Sequence, residues 1–430
     1  MLVGRKHTGG MRTRRNGLLG AALTCVLVYA TACGGDSPTE KTTPPPSGGD
    51  TVTLDGAVYG RPMVAGDTIF AATERNSVYA VTGSTVRWRA HLTEPISRSK
   101  LPCGDIDPEG ITGQPAYDAV THRLYAVAET ADAHHVLYAL DADSGAVVDR
   151  VPVDPPFGDR AAYLQRPALA FWNGRVYAAF GGNFGDCGEY TGAVAAVDVS
   201  NNAVTWYRAS SGGRGGIWAP GPPVIANDRL YYSVGNGDAG PGTAYDGTDS
   251  VIALTADLRR ADFFAPATWA QDNAADKDLG SMNPALVGEH IVIAGKAGNG
   301  YVLDAHQLGE ISTRAPAFTN CRAFGAAAVA ADVIYLPCTN GITAVRIATD
   351  GTAAVLWRAT VAATGSPVVD GNRIWAADWH SGTLYALDPA TGRVIEQDST
   401  GPLPHFATPA LSGSAVVLGT MSGLRFIGSR

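Results

Sequence analysis

The 430-residue sequence is poor in charge, with Asp, Glu, Lys and Arg together at 17% against roughly a quarter in an average globular chain. It also lacks helical periodicity: no stretch repeats apolar residues at the three-and-four spacing of an amphipathic helix, which excludes a helical fold. No GxSxG elbow and no phosphate-binding GxxxxGK[ST] loop occurs, so nothing supports hydrolase or nucleotidase chemistry. No CxxC occurs and no His stands at ligand spacing from a Cys, which argues against a zinc site. What the chain has instead is 52 Gly and 26 Pro, with short alternations of β-branched and aromatic residues between Gly, Asn and Asp turns. This is the pattern of a turn-rich all-β protein.

The first residues read as an address. Arg5, Lys6, Arg12, Arg14 and Arg15 form a basic segment, and the apolar run from Leu18 to Val28 is too short to span a bilayer comfortably. Ala30-Thr31-Ala32-Cys33, followed by a Thr/Pro/Gly-rich stretch to Asp50, resembles a bacterial lipobox. The expectation is a lipoprotein signal peptide over 1–32, a lipid on Cys33, a flexible tether over 33–50 and a folded domain over 51–430. Loss of 1–32 removes five basic and no acidic residues, taking the formal charge from −8 to −13. An acidic surface with no basic cluster argues against nucleic acid as a partner. Cys25 leaves with the signal, so Cys103, Cys187, Cys321 and Cys338 remain for disulfides in an oxidising compartment. Three pairings are open, of which 103–187 and 321–338 are favoured.

An internal repeat sets the architecture. Val78-Tyr79-Ala80-Val81, Leu137-Tyr138-Ala139-Leu140-Asp141 and Val194-Ala195-Ala196-Val197-Asp198 open a series of eight copies. It continues through Val251-Ile252-Ala253-Leu254, Gly300-Tyr301-Val302-Leu303-Asp304 and Ile342-Thr343-Ala344-Val345. Leu384-Tyr385-Ala386-Leu387-Asp388 and Gly423-Leu424-Arg425-Phe426-Ile427 end it. The spacing fits propeller blades, with a strand ending in Trp88, Trp206 or Trp357 after the motif strand in three of them. A four-stranded blade cannot bury both faces alone, so the blades stack radially and the ring closes. The expected fold is an all-β, eight-bladed propeller of four-stranded antiparallel blades. The strand near Thr51 to Leu54 would complete the last blade, joining the N- and C-terminal strands. A seven-bladed ring with one irregular unit is the alternative.

Copies such as Leu384-Tyr385-Ala386-Leu387-Asp388-Pro389-Ala390-Thr391-Gly392 resemble the pyrroloquinoline-quinone (PQQ) repeat. That repeat is found in quinoprotein alcohol dehydrogenases and in the lipoprotein scaffold of outer-membrane barrel assembly. The resemblance spans essentially the whole chain after the leader. It implies the fold, but one ring hosts both enzymes and scaffolds. Gly212-Gly213-Arg214-Gly215-Gly216-Ile217-Trp218 resembles the glycine-rich stretch ending in the Trp on which the quinone stacks, although a core Trp beside a Gly loop reads the same way. Val234-Gly235-Asn236-Gly237 resembles the segment whose Asn ligates calcium. Asp276-Lys277-Asp278-Leu279-Gly280-Ser281 resembles the segment of the catalytic base. Asp276 would be that base and would share the calcium site with Asn236. Gly295-Lys296 resembles the strand whose cation touches the quinone oxygens.

The departures are equally specific. The third-blade Glu that binds calcium in quinoprotein alcohol dehydrogenases falls on Cys187, with Asp186 and Glu189 beside it. The disulfide of adjacent cysteines over the quinone is absent, and no CxxCH haem attachment occurs. His134 and His135 are expected on opposite faces of a strand. Trp375, Trp379 and His380 lie near a strand end, where they pack structurally or line a pocket. Two functions follow. One is an envelope-anchored PQQ-binding-like scaffold for a ligand, protein or extracellular polymer. The other is a PQQ- and calcium-dependent dehydrogenase acting on an alcohol or sugar hydroxyl.

Overall fold

The structure, a computed structural model, describes residues 50–428; the expected leader, Cys33 and the tether before Asp50 lie outside the described residues. Eight sheets follow one another along the chain as the blades of a ring. Blade 1 shows the plan, with strands Met63–Ala65, Thr68–Ala72, Ser77–Thr82 and Thr85–His91 paired antiparallel from the axis outward. The repeat motif is the third strand. Its residues are buried on both faces, because a neighbouring blade covers each side. The fourth strand alternates exposed and half-buried residues at the rim. In five blades the pairing slips by one residue beside the motif Ala, at Ala80, Ala139, Ala253, Ala344 and Ala386. Such bulges increase the local twist.

The motif's Asp and Gly join neighbouring blades. Asp388 Oδ1 accepts the backbone N–H groups of Ala390 and Thr391, each at 2.9 Å, and Gly392 closes the turn at φ +71°. Trp357 of blade 6 lies on that glycine: a Cβ there would sit 2.3 Å from its indole, whose Nε1 donates to Pro389 O at 3.0 Å. Trp88 of blade 1 does the same on Gly145 of blade 2, donating to Ala142 O at 2.9 Å. The Trp of one repeat therefore reads the Asp-to-Gly turn of the next.

Closure follows the expected route. Thr51–Thr53 pairs antiparallel with Gly423–Gly428, Val52 opposite Leu424, so blade 8 takes its outer strand from the start of the domain. Eight blades are present, and two depart in detail. Blade 3 carries an additional pairing from Tyr163–Leu164. Blade 5 keeps three strands, while Glu310–Ser312 pairs parallel with Arg260–Pro266 of blade 4. One short α-helix, Trp269–Ala274, interrupts the β plan; at six residues it is too short to show a periodicity. Both favoured disulfides are present. Cys103–Cys187 ties the loop before blade 2 to a loop of blade 3, and Cys321–Cys338 lies in the core of blade 6.

Candidate functional site

The glycine-rich segment explains how Trp218 is placed. Gly215 and Gly216 run between blades 3 and 4, where Gly215 N donates to Asn236 O and Gly235 N to Gly216 O, each at 2.9 Å. Side chains have no room: a Cβ on Gly192 would meet Gly215 O at 1.8 Å. Gly181 and Gly235 flank the indole, with Cβ positions 3.0 Å from Trp218 Cβ and 3.1 Å from its Nε1. Backbone therefore wedges Trp218 at one mouth of the ring.

Lys296 joins it from blade 5. Its ammonium lies 5.5 Å from the centroid of the Trp218 ring, within cation–π range. Nζ is 2.6 Å from Asp276 Oδ1 and 2.9 Å from Asp278 Oδ2. The Lys296 side chain is 12% exposed, Asp278 is fully buried, and Asp276 is 67% exposed. Burial works against the Lys296 charge, but the Asp278 charge and the hydrogen bonds to both carboxylates outweigh it, holding the ammonium above its usual range. Burial pushes Asp278 up, and Lys296 offsets part of that rise. Asp249, buried behind the pair, is also driven up by burial and by Asp278, while one of its oxygens accepts the Leu279 N–H.

Three of the four residues expected at a quinone site thus meet, since Lys296 touches both Trp218 and Asp276. Asn236 joins through its backbone carbonyl. The buried amide in this region is Asn273, which donates to Thr248 Oγ1 at 2.7 Å and accepts from Gly237 N at 3.1 Å. A calcium ion does not fit these donors. The Asp276 oxygen it would need already holds an ammonium, and the third-blade position is Cys187, committed to Cys103. Asp186 accepts a hydrogen bond from Tyr190. Among the described residues no group of three His, Cys, Asp or Glu side chains is arranged to hold a metal. A flat ring fits better, because the indole offers it a face and the ammonium beside it offers a donor to ring oxygens.

Several residues at this mouth carry no repeat signal, and of these the sequence singles out only Trp379 and His380. Phe324 and Phe406 stack on each other at 6.1 Å and each lies 6.3 Å from the Trp218 ring. Arg166 lies over Phe406 at 4.7 Å and Arg322 over Phe324 at 5.4 Å. Trp379 packs on His380 at 3.6 Å and on His405 at 4.3 Å, and His405 Nδ1 is 3.1 Å from Asp105 Oδ2. Phe324, Phe406, Arg166 and Asp105 enter from connections preceding different blades and Trp379 from a hairpin of blade 7, so sequence spacing carries no trace of their meeting. His134 precedes the strand His135–Asp141 and contacts Asp154 through Nδ1 at 2.6 Å, while His135 is buried against Phe180 with its Nδ1 3.9 Å from the same carboxylate. Trp375 is core, with its Nε1 on Asp370 at 3.0 Å.

The ring and its aromatic mouth define a closed propeller of PQQ-type repeats. The chain belongs to the PQQ-repeat family whose model is described as outer membrane protein assembly factor BamB, which matches residues 42–240 and 133–398. A polyvinylalcohol dehydrogenase of Sphingopyxis sp. (strain 113P3) is 27% identical over 230 residues, covering 47% of this chain and 32% of that protein. The chain thus spans about a third of that relative's length. Among solved structures, BamB from Moraxella catarrhalis superposes with a TM-score of 0.60 at 16% identity, covering 88% of this chain and 96% of that one. The computationally designed Ika8 protein superposes at 0.58 with 10% identity, covering 89% of this chain and all of that one. Both likenesses concern the fold.

Proposed function

We propose that this protein is an extracytoplasmic binding propeller, anchored to the bacterial envelope by a lipid on Cys33, and that the mouth around Trp218 is its ligand site. The observation that carries the reading is the Lys296 ammonium, held over the indole by two aspartates. An ordered cation above a flat ring suits a planar anion, and PQQ has that chemistry. Trp218 and Lys296 would hold it. A binding role is favoured over turnover because Asp276, the residue a dehydrogenase would use as base, is engaged with Lys296, and calcium finds no donor set. The family's description as an outer membrane assembly factor supports an envelope scaffold. The polyvinylalcohol dehydrogenase match supports the second reading, PQQ-dependent oxidation of a hydroxyl-bearing substrate.

One titration separates them. PQQ is added with and without calcium while Trp fluorescence is followed, and dye reduction is assayed with an alcohol panel that includes polyvinyl alcohol. Saturable binding lost in Trp218→Ala and Lys296→Ala, with no dye reduction, is the expected result. Turnover lost in Asp276→Asn would establish the dehydrogenase. Absence of binding at high micromolar PQQ would remove the cofactor site. Fatty-acid labelling lost in Cys33→Ser tests the anchor.

A further inference from the structure

A second site lies on the axis of the ring. Tyr59 and Arg61 precede the innermost strand of blade 1, Thr112 and Gln114 that of blade 2, and Arg166 that of blade 3. With Pro220 to Pro222, Ala326, His405 and Thr408, which precede the innermost strands of blades 4, 6 and 8, they enclose a small cavity of about 40 Å³. No carboxylate lines it. Two guanidinium groups do, and among the described residues neither Arg61 nor Arg166 makes an ion pair or a hydrogen bond to protein. Arg166 is half-buried and lies over the face of Phe406 at 4.7 Å. Arginine stays protonated at every physiological pH, so the opening carries two guanidinium charges with no carboxylate in direct contact, and one ionised carboxyl nearby, Asp105, offsets only part of them.

The carboxyl groups close enough to act on Arg166 do not supply that anion fully. Glu74 is buried and already accepts from Gly110 N at 2.8 Å and Thr112 Oγ1 at 3.1 Å; burial pushes it up to about 8, so it is largely protonated at neutral pH. Burial, followed by the neighbouring Glu129, holds Glu109 well above the usual carboxylate range. Asp105, whose hydrogen bond to His405 keeps its carboxyl below its ordinary value, is ionised, but it is a single negative charge facing two guanidinium groups. The Tyr59 phenol, kept neutral by burial with its value raised to about 12, adds a donor at the wall. We infer that the axial opening binds a small oxyanion, a carboxylate or phosphate group, seated between Arg61 and Arg166. Phe406 joins Arg166 to the Trp218 ring, so this opening adjoins the Trp218 mouth, but Lys296, Asp276 and Asp278 take no part in it.

The test follows thermal unfolding of the full-length, detergent-solubilised protein titrated with inorganic phosphate or with succinate, against sodium chloride at matched ionic strength. A saturable rise in Tm with at least one of the two is expected, and which one gives it identifies the source of the oxyanion. Arg61→Gln and Arg166→Gln should each weaken the apparent affinity by about tenfold. Lys296→Ala, at a residue that touches none of the lining side chains, should leave it unchanged while removing any PQQ binding, so failure of one site does not mimic failure of the other. If Arg166→Gln does not fold, the exposed Arg61→Gln decides alone. No ion-specific rise, or an undiminished response in the Arg61 variant, overturns the proposal.

Discussion

At the scale of single residues, the most consequential side chains are acids without charge partners. Glu129 is buried between Glu109 and His135, and its nearest polar partner is the carboxyl of Glu109, itself held protonated by burial. Burial raises it to about 8, and His135, 3.9 Å away, is lowered by burial to about 4. The signs are opposite. A raised carboxyl gives stability that is complete below its unfolded value, here 4.5, and that is lost as pH rises through about 8. A lowered imidazole gives stability that is present above 6.5 and lost as pH falls towards 4. Above pH 6.5 the histidine is already neutral in both states, so the loss from Glu74 and Glu129 is not offset. Thermal melts should therefore show Tm falling between pH 6.5 and pH 8.5, by a free energy on the order of a few kcal/mol. Glu129→Gln should flatten that slope and leave the melt at pH 5 little changed. A slope unchanged in the variant would show that this carboxyl titrates at its ordinary value.

At the scale of the repeat, the Asp-to-Gly turn and the Trp of the preceding blade form one device used twice, at Trp88 with Gly145 and at Trp357 with Gly392. Trp357→Ala removes a half-buried ring and one hydrogen bond and should cost roughly 2–4 kcal/mol in urea unfolding. Gly392→Val adds a β-branched side chain at φ +71° and against the indole, and should cost a comparable amount. In the double variant the collision disappears, so the two losses should fall short of additive. Additivity would mean that the contact carries no coupling. Such devices were legible because they recur: motif, turn and Trp announced the blades and their number. The parallel strand Glu310–Ser312 was not, since its pairing with blade 4 is a long-range choice. The same limit hid the mouth. Trp218 and Lys296 were found through a family likeness, whereas Asp278, Phe406 and Arg166 belong to connections whose meeting only the closed ring creates.

At the scale of the molecule, stability depends on one short seam. In an open array of repeats each unit interacts with its neighbours alone, but here the ring is completed by Thr51–Thr53 on Gly423–Gly428. Val52 and Leu54 are buried there with Val417, Leu424 and Phe426 of blade 8 and with Val81 of blade 1. The seam covers what would otherwise be an open edge strand able to pair with another chain. Arg61 and Arg166 lie on connections between blades, so opening the ring would move them as well as the folded core. Removing residues 1–49 should leave the melting temperature unchanged, because no part of the seam is lost. Removing residues 1–54 should lower it by several degrees and promote self-association at the exposed edge. Hydrogen exchange should accelerate first in blades 8 and 1, on both sides of the cut, before blades 4 and 5 opposite it. Equal acceleration in all eight blades would instead mean that the ring unfolds as a single cooperative unit, whichever strand is removed.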